Sequence, residues 1–287
     1  MSVAEITTIS TTLHYFKPPP DGSKPWVETN LQTGEHSSNV SQGSSKQVII
    51  ENVRGHESEY DLDTTGFLFL EHESQCKNFE DEATIKDVYY KESIGLIKKV
   101  TGANRVVVFH HAIRKGGPQL LVGPNRPLPP SDRVHSDHTP EDAIKLVHAL
   151  PQIPNELVPH LLKHRFQIIN IWRPINHPAI ESPLTLCDYR SIDLEKDLVA
   201  TTVKFPDYTM ETFRVNYNPG HKWKYQRNMR PDEVVFLKCF DSRMDGKTAI
   251  LAPHTAFVDP TTPEGAPLRE SIELRALVFY DDLPEEA

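Results

Sequence analysis

Arg165-Phe166-Gln167-Ile168-Ile169-Asn170-Ile171-Trp172 is the stretch that settles the class of this chain. It is rich in β-branched and aromatic residues and reads as a strand. Five more strand-like runs follow, at 201–205, 212–217, 233–240, 248–251 and 272–280, each bounded by turn residues. Six such signals argue for a β-sandwich or barrel. Working back toward the N-terminus, 104–111 is β-branched and apolar and reads as a core strand, and 47–50 and 66–70 look like shorter ones. Between them, 81–100 places Ile85, Val88, Tyr89, Ile94, Leu96, Ile97 and Val100 at mostly helical spacing, which predicts one amphipathic helix. Thr139-Pro140-Glu141-Asp142 offers an N-cap hydroxyl, a first-turn proline and early carboxylates. A helix should therefore run to about residue 150, with a second short one near 155–163.

The expected architecture is mainly β with flanking helices: a double-stranded β-helix, the jelly roll of cupin type. The tract 17–46 is rich in Pro, Gly, Ser and Asn and reads as an extended or mobile arm. The expected organisation is thus an N-terminal arm with short strands over 1–60 and a jelly-roll domain over 61–287. No internal repeat is found.

Composition narrows the function. Forty acidic against 31 basic residues give a net charge of -9, and no basic cluster denser than Lys98-Lys99 occurs, so nucleic acid is a poor partner. Cys76, Cys187 and Cys239 are odd in number, far apart and without CxxC spacing, which suits reduced thiols in a cytoplasmic protein. Residues 1–14 lack the basic and apolar regions of a secretory signal, and no apolar run approaches the ~20 residues of a membrane span. A homodimer stays open.

Val134-His135-Ser136-Asp137-His138-Thr139 carries the chemistry. On an extended strand His135 and Asp137 point to one face, so an imidazole nitrogen and a carboxylate oxygen can converge on one ion. Two histidines and a carboxylate form the facial triad of non-haem iron oxygenases, which leaves open positions for oxygen and substrate. The HxD pair alone is a weak signal, and a solvated loop histidine beside an N-cap is the bland reading. A third ligand should come from a distant strand; His254, after the run at 248–251, fits, with His221 in Asn218-Pro219-Gly220-His221-Lys222-Trp223 as its rival. Arg269-Glu270-Ser271 places a guanidinium and a hydroxyl on one strand face, suited to gripping a carboxylate of 2-oxoglutarate; Arg275 is the substitute if Arg269 is exposed. Asn170 and Trp172 alternate onto one face and are expected to line the cofactor pocket. Trp223 and Tyr225 could form an aromatic wall for substrate, and the loop 116–130 a lid.

Together with Ile169-Asn170-Ile171-Trp172-Arg173-Pro174, Leu186-Cys187-Asp188, Pro231-Asp232-Glu233-Val234, Pro253-His254-Thr255-Ala256-Phe257 and Arg269-Glu270-Ser271-Ile272-Glu273, these motifs resemble, in order, the fungal hydroxylase/desaturase family of AsaB type. The resemblance runs from about Leu62 to the C-terminus, and within the family the sequence looks most like a meroterpenoid endoperoxide-forming enzyme. It implies a dioxygenase of fungal secondary metabolism that uses Fe(II), 2-oxoglutarate and O2 on a small apolar organic substrate. It also implies metal ligation by His135, Asp137 and His254 and a 2-oxoglutarate grip from Arg269. Ser136 departs from the larger apolar residue expected between the ligands. The alternatives are a cupin-like metal-binding protein without oxygenase activity, and a hydroxylase or desaturase acting on another polyketide or terpenoid.

Overall fold

The computed structural model describes residues 6–30, 33–40, 43–117 and 127–283. Two sheets form its frame. The larger has ten strands in the order β1 (Thr8–Tyr15), β4 (Ser44–Asn52), β12 (Trp223–Tyr225), β9 (Leu184–Cys187), β14 (His254–Ala256), β7 (His135–Ser136), β11 (Thr209–Val215), β10 (Leu198–Lys204), β2 (Trp26–Thr29) and β3 (His36–Ser38). The smaller has five, β5 (Phe67–Glu71), β13 (Glu233–Asp241), β8 (Phe166–Pro174), β15 (Glu270–Phe279) and β6 (Arg105–Lys115), all antiparallel to their neighbours.

β8 is buried along its whole length because both faces of the small sheet are covered. Phe166, Ile168 and Trp172 pack with Val235, Leu237, Leu277 and Phe279 on one face, together with Leu186 of the large sheet. Ile169 and Ile171 pack on the other with Val234, Phe236, Ile272 and Leu274 against a helix. That helix consists of α1 (Glu82–Thr84), a π-helical turn at Ile85–Tyr89 and α2 (Tyr90–Thr101), so the one amphipathic helix expected from the spacing carries a bulge at its start. It buries Ile85, Tyr89 and Ile97, about 1.5–3 kcal/mol for each large apolar side chain. Gly102, at φ 73°, ends it in the left-handed conformation that glycine adopts without strain. α3 (Pro140–Ala149) starts as expected, the Thr139 hydroxyl accepting from the Asp142 amide at 3.2 Å; α4 (Val158–Leu161) and α5 (Leu194–Asp197) are short.

Three expectations differ from the structure. The tract 17–46 is extended but paired: β2 runs parallel to β10 and antiparallel to β3, seated by Val27 in an otherwise polar stretch. The run at 248–251 is not a strand. Its backbone is taken up elsewhere, the Ala249 amide donating to the Asp63 carbonyl at 2.7 Å and the Ala249 carbonyl accepting from Lys238 Nζ at 2.8 Å. Trp223 and Tyr225 belong to a separate core with Ile9, Leu13, Tyr15, Val134, Val215 and Phe257, and Trp223 Nε1 donates to the Tyr15 hydroxyl at 2.8 Å. They are packing residues, not a substrate wall. Most of the loop expected to act as a lid, 118–126, lies outside the described residues.

Candidate metal and co-substrate site

β7 and β14 are short neighbouring strands, and His135 lies directly opposite His254 in their register. Cross-strand partners share a face, so a pairing across 119 residues of sequence becomes a ring contact, with centroids 4.5 Å apart. Asp137 follows His135 on the same face, its Oδ1 3.5 Å from His135 Nε2. One ligand atom from each of the three residues lies within 4.8 Å of the others. His221 is elsewhere, 3.0 Å from Asp197 and 3.2 Å from the Tyr15 hydroxyl.

The hydrogen bonds prepare these atoms for an ion. A carbonyl oxygen can only accept, so His135 Nδ1 must donate to the Arg133 carbonyl at 2.7 Å and His254 Nδ1 to the Ala252 carbonyl at 3.0 Å. Both Nε2 lone pairs are thereby left bare, the arrangement metal-binding imidazoles adopt. Asp137 is divided likewise. Its Oδ2 accepts from Asn170 Nδ2 at 2.7 Å and from the Cys239 thiol at 3.5 Å and faces Arg275 at 3.6 Å, leaving Oδ1 toward His135. Burial opposes ionisation of Asp137, but Arg275 and the two histidines hold its carboxyl well below the usual range. Burial, then the neighbouring His135, push His254 down, which keeps it neutral and able to donate a lone pair. Two neutral imidazoles and one carboxylate suit Fe(II) chemically.

The small sheet supplies the surroundings. Asn170 and Trp172 of β8 lie opposite Arg275 and Glu273 of β15 in register. Arg275 bonds Glu273 Oε1 at 2.7 Å and stands between that carboxylate and Asp137, so it balances two buried acids. Cys239 reaches the site through a β-bulge between Lys238 and Phe240, which gives β13 one residue more than its partner there. His110, opposite Arg275 on β6, is exposed to solvent on this side.

Arg269 is buried, so Arg275 is not needed as its substitute. Its Nη1 donates to the Ser182 carbonyl at 2.7 Å, and its guanidinium sits 5.6 Å from the Trp172 ring centroid. Burial, then the nearby charge of Arg114, pull it down to about 9, so it is still protonated at neutral pH. Arg269 Nε and Ser271 Oγ are both buried without hydrogen-bond partners, as is Asn170 Oδ1. Each such atom costs about 1–3 kcal/mol. A single small cavity brings Arg269 together with the two histidines, lined by His135, His254, Trp172, Arg269, Arg114 and Glu273 among others. Roomier clefts elsewhere contain none of His135, Asp137 and His254.

Comparison with known proteins agrees with this geometry. A hydroxylase/desaturase, efuI of Hormonema carpetanum, is 35% identical over 97% of both chains. The chain belongs to this fungal hydroxylase/desaturase family. Residues 13–279 also match the family model described as "Oxidoreductase/YMDC permease-like domain". The Fe(II)/2-oxoglutarate-dependent dioxygenase nvfI of Aspergillus novofumigatus is 32% identical over 81% of this chain and 83% of its own. The solved structure of the iron and alpha-ketoglutarate-dependent endoperoxidase NvfI superposes with a TM-score of 0.84 at 29% identity, covering 96% of this chain and all of that one. The family is that of the Fe(II)/2-oxoglutarate-dependent dioxygenases of fungal secondary metabolism, and the chain is such an enzyme. No described helix is long and apolar enough to cross a membrane.

Proposed function

We propose that His135, Asp137 and His254 hold the Fe(II), that Arg269 and Ser271 grip the far carboxylate of 2-oxoglutarate, and that Trp172 and Asn170 line its pocket. The observation that carries this is the shared cavity, where bare imidazole nitrogens meet a buried cation with unused hydrogen-bonding capacity. A carboxylate there would satisfy Arg269 Nε and Ser271 Oγ together and neutralise a buried charge, a bidentate pairing that also fixes orientation. Trp172 stiffens the guanidinium by lying against it. Asn170, bonded to Asp137 Oδ2, keeps Oδ1 turned to the ion.

When bound, iron and 2-oxoglutarate supply an oxidant that removes a hydrogen atom from an unactivated carbon. The protein's part is to aim one C–H bond at that centre and to keep water out. The substrate is a small apolar organic molecule, a meroterpenoid or related terpenoid or polyketide, as the resemblance of the sequence motifs implies. How the carbon radical is trapped decides between hydroxylation, desaturation and endoperoxide formation. Three cysteines, all free and buried, support a cytoplasmic setting. Every residue of the proposed chemistry lies in 61–287, and strands from 1–60 complete the large sheet.

Anaerobic addition of Fe(II) and 2-oxoglutarate should give a weak visible charge-transfer band. Oxygen-dependent succinate formation, screened against fungal terpenoid and polyketide intermediates, should then find the substrate. A folded, iron-loaded chain that develops no such band would overturn the reading.

A further inference from the structure

A second set of two imidazoles and a carboxylate stands at the other end of the barrel. The ten-residue strand β15 spans roughly 30 Å at about 3.3 Å per residue. Arg269 precedes its first residue, whereas Asp282 lies just beyond its last. There Asp282 meets His160 of α4 and His164 in the turn that follows, the only other such grouping among the described residues. The Asp282 Oδ1 atom is 3.0 Å from His160 Nε2 and 3.8 Å from His164 Nε2, and the two rings are 4.5 Å apart.

Two features separate this group from an ordinary surface ion pair. His164 Nδ1 donates to the His160 carbonyl at 3.0 Å, which leaves its Nε2 bare by the argument already applied to His135 and His254. His160 Nε2 is buried and, although 3.0 Å from Asp282, is not aligned for a hydrogen bond and has no such partner. A buried nitrogen beside a carboxylate and a second bare imidazole nitrogen, without bonding to either, is a donor set suited to a divalent ion. Tetrahedral zinc with bonds of about 2.0–2.1 Å sets its ligands about 3.3 Å apart, and the two observed separations from Asp282 bracket that. The backbone is held in place nearby: Asp281 accepts from Arg105 Nε at 3.0 Å and from the Leu283 amide at 2.9 Å, and the Tyr280 amide donates to the Arg165 carbonyl at 3.1 Å.

We propose that His160, His164 and Asp282 bind a second divalent transition-metal ion, of which zinc is the probe of choice, with water completing its coordination. The ion ties the end of the chain after β15 to the helix that leads into β8. Its role is that of a clamp.

Equilibrium dialysis of the full chain against zinc chloride, with zinc counted per chain, tests this. The wild type should hold two ions, and the His135→Ala, His254→Ala double variant one. Adding His164→Ala to that double variant should remove the remaining ion, and Asp282→Asn should weaken it at least about tenfold. A thermal readout guards against misfolding: zinc should raise the melting temperature of the double variant, and the rise should vanish with His164→Ala while the zinc-free melting point stays put. A double variant that holds no zinc, or one whose zinc survives both His164→Ala and Asp282→Asn, overturns the proposal.

Discussion

The small sheet carries two buried charged networks, and they are built on opposite terms. Around Lys238 every strong donor has an acceptor: its ammonium bonds Asp63 at 3.0 Å, Asp241 at 2.7 Å and the Ala249 carbonyl at 2.8 Å. Asp241 accepts in addition from Arg165 and Gln167, and Gln167 from the Tyr280 hydroxyl at 2.6 Å. Around Asp137 the charges are balanced, but Arg269 Nε, Ser271 Oγ and Asn170 Oδ1 are left over. A network that closes on itself specifies structure; one with buried capacity to spare is shaped for something the chain does not contain. Activity should therefore respond to changes in the second network, and stability to changes in the first.

The largest effect should come from His254→Ala. Loss of a ligand should abolish succinate formation, well beyond the about 10–100-fold that outer partners of a metal site cost. Stability without metal should fall by only about 1–3 kcal/mol, the cost of leaving the buried Ala252 carbonyl without its donor. Full turnover in this variant would remove His254 from the ligand set.

Lys238→Met attacks the closed network and should reverse that pattern. It leaves Asp241 buried with one cation fewer, a loss of about 3–5 kcal/mol read by urea unfolding, while iron-dependent turnover per folded molecule is kept. The acid limb supplies a check of sign. Burial raises the pKa of Asp241, but Arg165 and Lys238 more than compensate, so its folded value lies below the ordinary 3.8. Such a carboxylate stabilises the fold above about pH 3.8 and loses that contribution as the pH falls through its folded value. The stability lost between pH 6 and pH 3 should thus be smaller in Lys238→Met than in the wild type.

Arg269→Leu falls between the two. Removing one charged grip on a carboxylate should raise the KM for 2-oxoglutarate by about 10–100-fold, the equivalent of about 1.5–3 kcal/mol for a charge-assisted hydrogen bond, with the iron content unchanged. Unfolding free energy should hold steady or rise slightly, since a buried nitrogen without a partner goes with the side chain. A large stability loss with unaltered KM would make Arg269 a structural cation.

How much of this was legible in the sequence depended on whether a pattern was local. Strand alternation put Asn170 and Trp172 on one face and His135 with Asp137 on another, because a two-residue period needs no knowledge of the rest of the fold. The helices announced themselves through Thr139-Pro140 and the spacing from Ile85 to Val100. The strands β2 and β3 were missed because edge pairing is made by backbone groups, which a polar sequence does not record. Trp223 and Tyr225 gave no hint that they face an outer core closed by β1, since nothing local says which side of a sheet will be covered. Arg275 was noticed only as a spare for Arg269; its tie to Asp137 and Glu273 depends on two strands far apart in the chain. The four-residue spacing of His160 and His164 says nothing by itself, because Asp282 completes the group only through the pairing of β15 with β8.

Cys239 gives the finest comparison between the two networks, because its thiol touches the Asp137 carboxylate without belonging to either set of charges. Burial, then the nearby Asp137 and Glu273 carboxylates, push that thiol well above its ordinary value of 9.0, so it stays protonated and serves as a weak donor to Asp137 Oδ2. A thiolate would be a strong ligand; a thiol 3.5 Å from the far oxygen is a support for the carboxylate. Cys239→Ala should therefore keep one iron at the triad, lower its affinity by no more than about tenfold, and shift stability by about 1 kcal/mol or less, since the bond lost is weak and the cavity small. Iron titrated by absorbance against a competing chelator measures the first quantity. If the ion is lost outright, Cys239 is a ligand, and the bulge between Lys238 and Phe240 exists to deliver it rather than to brace Asp137.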